Sequence, residues 1–202
     1  MPVKLDPWIY LFQGVLYTWY QGQELANAAA AVLTRMFNPC GRLPITFPGR
    51  IEDCPAYSSF PGDGVDTYYA ESIFVGYKCR VQLKPRIPLT MEVLITNTGS
   101  GKAVELPGRQ TVISWLSQRS PHRIRRPHKQ ICGFAKSKPL SKSEQHMVKI
   151  KTEAYAFEVF DITRGHWVID AGIQFDILIG SSADDPEVAW HITVPDEISW
   201  IH

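Results

Sequence analysis

Carboxylates are the first place to look for chemistry in this 202-residue chain. Glu24 stands just after the aromatic pair Trp19-Tyr20, at what reads as a helix start, and is the one candidate for a catalytic role. Its ordinary role is a negative charge set against the positive end of a helix dipole. Glu52, Asp53 and Glu71 fall in loop-like words, where carboxylates bond nearby backbone amides, and Asp184-Asp185 follow a Gly-Ser-Ser turn and read as solvated. The histidines His122, His128, His146, His166, His191 and His202 show no H-x-x-x-H or H-x-x-E spacing, so no metal site is expected. No nucleophile elbow, P-loop or dinucleotide fingerprint occurs, and no cofactor is expected. Trp19, Tyr20, Tyr57, Tyr68 and Tyr69, with Trp8 and Tyr17 nearby, are the candidate ligand-binding residues, because such rings with a few polar groups can line an apolar pocket.

The stretch from Trp19 to Pro48 positions these groups. Leu25, Ala28, Ala29, Val32, Leu33 and Met36 recur at helical spacing, so one amphipathic helix is expected, with Glu24 in its first turn. Asn38-Pro39 should stop it, and Gly41 should allow the turn that follows. Val15, Leu16 and Tyr17 read as a short buried strand before the helix. From Arg50 to Tyr77 the chain is rich in Pro, Gly and aromatics and reads as an ordered meandering loop, with a short strand within Tyr68 to Tyr77. A domain boundary is expected near residues 80 to 89, where Pro85 and Pro88 punctuate the chain, giving domains 1–80 and 81–202.

Beyond the boundary the pattern is all-β. Met91, Val93 and Ile95 alternate and end at the turn Asn97-Thr98-Gly99. Further strands are expected at Thr111 to Leu116, Ile131 to Phe134, His146 to Lys151, Trp167 to Ile169, Ile173 to Ile179 and Val188 to Val194, about seven in all and enough for a β-sandwich. Arg119, Arg123, Arg125, Arg126 and Lys129, with His122 and His128 between them, form a basic run that reads as a solvated surface loop.

Composition bounds the rest. An apolar fraction of 45% suits a packed globular chain, and a net charge of +1 gives no reason to expect nucleic acid or a membrane as partner. No apolar run reaches the ~18 residues of a spanning helix, and no signal peptide is read in the first twenty residues. Cys40, Cys54, Cys79 and Cys132 stand far apart without a CxxC pair; they read as buried or half-buried free thiols, and a cytoplasmic protein is expected.

The ordered words of the chain resemble glycoside hydrolase family 3, the β-glucosidases and their relatives. Trp19-Tyr20-Gln21-Gly22-Gln23-Glu24 and Asn38-Pro39-Cys40-Gly41-Arg42-Leu43-Pro44 are similar to the family's WYPGQE and NPSGKLP words. Arg50 to Tyr57, Phe60-Pro61-Gly62 and Tyr68 to Tyr77 are similar to its RLEDTPAY, NFPG and YYGEGIFVGY words. Ile95 to Gly99, Arg126 to Phe134 and Gly172 to Ser182 resemble the fibronectin type III-like domain that closes many members.

The resemblance implies a mainly β protein: a fibronectin type III-like, immunoglobulin-like β-sandwich preceded by a small α/β remnant with one amphipathic helix. The PFGHGLSY-type word that the family carries before its last domain is absent. So are the word for the nucleophilic aspartate of the family's barrel and the glutamate that acts as acid/base. A retaining glycosidase needs two carboxyl groups about 5–5.5 Å apart, so the implied function is non-hydrolytic binding or assembly, or a relic.

The alternative is recruitment as a cyclase- or isomerase-type enzyme on an apolar metabolite of a biosynthetic pathway. In the family this helix packs on a sheet built by earlier sequence. The expected partner is therefore another copy of the chain or a longer family member, with a small apolar or glycosidic ligand possible.

Overall fold

Among the residues that the computed structural model describes, nine strands and one α-helix are the regular elements, apart from short 3-10 turns. It describes residues 3–62, 64–69, 89–99, 106–119, 123–152 and 154–200. The chain divides into two compact units, Met1–Gly76 and Tyr77–His202. The boundary expected at residues 80 to 89 lies mostly outside the described residues, as do Glu71, Cys79, His122 and most of the strand expected within Tyr68 to Tyr77.

In the first unit the helix α1 runs from Leu25 to Leu33, shorter than the periodicity implies. Its end is set before Asn38-Pro39 is reached. Arg35 takes a left-handed conformation at φ 59°, the Met36 N–H donates to Ala31 O at 2.8 Å and the Arg35 N–H to Val32 O at 3.1 Å. That crossed pair of bonds closes a helix C-terminus in the Schellman manner, with Arg where glycine is usual. Glu24 is the N-cap residue instead of a first-turn residue, and it makes no side-chain cap bond.

No residue of α1 is buried, although its apolar spacing leads one to expect a packed face. Val15 to Tyr17 form no strand: the segment is extended without a ladder, with Val15 and Leu16 exposed. A strand exists only through the bonds of a neighbouring strand, and among the described residues of this unit no strand is assigned.

The second unit is an antiparallel sandwich. Its strands are β1 (Leu89–Thr96), β2 (Thr111–Gln118), β3 (Gln130–Lys136), β4 (Gln145–Thr152), β5 (Val159–Asp161), β6 (His166–Ile169), β7 (Gln174–Gly180), β8 (Glu187–Thr193) and β9 (Ile198–Trp200). They pair as β1-β4, as β3-β2-β7-β8 and as β5-β6-β9. All seven expected strands are present. The two others, β5 and β9, have three residues each, too few for alternation to register. Met91, Val112, Leu116, Cys132, Val148, Ile150, Phe175 and Ile177 meet in one core. At the expected turn after β1, Asn97 Oδ1 accepts the Gly99 N–H at 3.0 Å and Asn97 Nδ2 donates to Leu140 O at 2.9 Å.

The strand expected from the alternation of Val188, Trp190, Ile192 and Val194 is present as β8, and its pairing is irregular. The β7-β8 register shifts between Ile177 and Leu178, so that Trp190 faces Ile177 while Val188 faces Leu178. A one-residue shift moves side chains to the opposite face of the sheet. Val188 and Trp190 both remain exposed on this edge strand.

Most of the basic run is consumed within the sandwich and is not simply a solvated loop. The Arg126 guanidinium donates to Phe157 O and Glu158 O and lies 5.1 Å from the centre of the Phe175 ring. Burial pushes it down to about 10, opposed by the charges of Asp170 and Glu158. Arg119 pairs with Asp176 at 3.4 Å, Lys129 Nζ donates to Ala183 O, and Arg125 and His128 are exposed. Arg123 reaches both Asp161, at 2.7 Å, and Asp170, at 3.1 Å. Asp161 Oδ1 also accepts the Thr163 hydroxyl at 2.6 Å and the Thr163 N–H at 3.0 Å. The Thr163 hydroxyl, and then the Arg123 guanidinium, hold the Asp161 carboxyl well below the usual carboxylate range.

Two consequences can be measured on the purified chain. Phe175 is fully buried and packs edge-on against Phe157 at 5.4 Å, so Phe175→Ala should cost about 3–5 kcal/mol. Phe134 is 71% exposed, so Phe134→Ala should stay within about 0.5 kcal/mol; urea unfolding followed by tryptophan fluorescence compares the two. For Asp161 the folded pKa lies below the unfolded value of about 3.9, so its stabilisation is present above that value and fades as pH falls toward the folded one. The stability difference between wild type and Asp161→Asn should be constant above about pH 5 and shrink below about pH 4. A difference that stays constant down to acid would contradict this assignment.

Candidate functional site

Trp19 itself sits at φ 54°, a left-handed conformation rare outside glycine. Its ring stands edge-on to Tyr17 at 4.7 Å and to Phe47 at 6.4 Å, and Tyr17 meets Phe47 at 5.0 Å. The segment leading to α1 is thus pinned to the segment after it by three rings, an arrangement of the kind favoured by aromatic quadrupoles. Tyr20, the next residue, takes no part and is 90% exposed. The Glu24 carboxylate is exposed and accepts a hydrogen bond from Asn27 Nδ2 at 2.6 Å, which ties the cap to the first turn.

Tyr57, Tyr68 and Tyr69 are also exposed, and no ring contact among the described residues joins them to Trp19. Tyr57 stands on a 3-10 turn, Pro55–Ser58. The turn before it, Ile51–Asp53, is closed by Asp53, which accepts the Arg50 N–H at 2.9 Å and the Arg50 guanidinium at 3.0 Å. The guanidinium bond holds the Asp53 carboxyl below its ordinary range. This is the loop-fixing role expected of a carboxylate in that word.

Among the described residues a concavity lies beside α1, an open depression of about 520 Å³. Ala28, Ala29, Ala31 and Val32 of α1 form one side, Leu16, Tyr17, Thr18 and Gln21 another, and Phe37, Pro39, Cys40 and Gly41 close the end. Neither Glu24 nor Trp19, Tyr20, Tyr57, Tyr68 or Tyr69 borders it, and no carboxylate or imidazole does. Its volume suits a small ligand, and its polar groups are the Tyr17 and Thr18 hydroxyls, the Gln21 amide and the Cys40 thiol. The run of alanines was the only available sequence signal for it: small side chains on one helix side leave room. Cys40 and Cys54 are half-buried, and Cys132 is a buried free thiol. Asp184 and Asp185 are exposed, as expected.

Known proteins now give this geometry its context. Residues 1–77 match the glycosyl hydrolase family 3 C-terminal domain, and residues 110–183 match the fibronectin type III-like domain. A putative beta-glucosidase of Schizosaccharomyces pombe is 30% identical over 98% of this chain and 26% of its own length. A beta-glucosidase of Rhizobium radiobacter is 30% identical over 96% of this chain, again 26% of its own. The chain therefore spans about a quarter of the length of these curated relatives.

Among solved structures, beta-glucosidase 3B from Thermotoga neapolitana in complex with alpha-D-glucose is similar at a TM-score of 0.79 and 26% identity, over 98% of this chain and 30% of that one. The Kluyveromyces marxianus beta-glucosidase in complex with glucose gives 0.71 and 26%, over 87% and 23%. Both family words and fold thus lead to one assignment: these 202 residues correspond to the C-terminal part of glycoside hydrolase family 3, its C-terminal domain continued by a fibronectin type III-like sandwich.

Proposed function

We propose that these 202 residues act as a non-hydrolytic binding or assembly module of a β-glucosidase-like protein. One observation carries the reading. Across residues 3–69 the only buried side chain among those described is Ser59, while Tyr10, Leu11, Tyr20, Leu33, Met36 and Phe60 are all more than 70% exposed. Apolar exposure of that extent marks an interface, and the partner is a second copy or a longer family polypeptide. The singled-out carboxylates support the same view, because Glu24 and Asp53 are engaged by neighbours in roles of local structure. Free thiols at Cys54 and Cys132 support a reducing, cytoplasmic setting.

The recruited-enzyme reading, a cyclase or isomerase acting on an apolar metabolite, draws on the depression beside α1, which would also hold a glycosidic ligand if one binds. It takes second place because that depression has no carboxylate or imidazole to move a proton. The test is an aryl β-glucoside incubated with the purified chain. No release of the phenol above the uncatalysed rate is expected; saturable turnover, lost in Glu24→Gln, would overturn the reading.

A further inference from the structure

We draw no further inference here: the strongest candidate, the open apolar depression between α1 and the segments that flank it, belongs to the site already described, and nothing in the structure shows what covers it.

Discussion

An uncharged helix has to be covered, and that requirement shapes the reading of this chain. α1 carries only Asn27 as a polar side chain in nine residues, yet none of its positions is buried. Helical propensity is no obstacle, since alanine is the best helix former. What is lacking is the burial from which helices in proteins draw most of their stability. The unit compensates locally, with the crossed bonds after Leu33, three edge-on rings around Trp19 and the Arg50-Asp53 closure. These fix the path of the chain without building an interior.

The sandwich solves the same problem the other way. Phe175 and Ile177 of β7 and Ile150 of β4 are fully buried, so apolar area removed from water supplies its stability at roughly 25 cal/mol per Å². Its polar groups are placed to serve that core. Arg126 lays its guanidinium near the Phe175 ring and satisfies it on two carbonyls. Arg123 bridges Asp161 and Asp170 at the ends of β5 and β6. Much of a basic run that looks in sequence like a surface loop is in fact a set of clasps, because Arg123, Arg126 and Lys129 each find an oxygen supplied by residues about 30 to 55 positions further along the chain.

Strand content was legible because strand alternation is a local pattern, and Ile173 to Ile179 or Met91 to Ile95 display it without help from the rest of the chain. The exposure of α1 and the absence of a strand at Val15 to Tyr17 were not legible. Apolar periodicity reports which residues want burial and carries no information on whether a neighbour is there to provide it. The shift between Ile177 and Leu178 was hidden for a related reason: a bulge is a property of two strands, and the period in Val188 to Val194 is a property of one. At the candidate site, Asp53 has the loop-fixing role that its word implies, whereas Trp19, read in sequence as a ligand-binding ring, packs edge-on against Tyr17 and Phe47. The depression beside α1 comes from alanines, which announce themselves only as helix formers.

The central proposal is that the first unit, in which Ser59 is the only buried residue among those described, gains an interior by association. Hydrogen–deuterium exchange of the full chain, at low and at high protein concentration, tests it most directly. The account predicts that amides of α1 exchange rapidly at low concentration, become protected at high concentration, and contrast throughout with the strongly protected amides of β7. Protection of α1 equal to that of β7 at every concentration would contradict it.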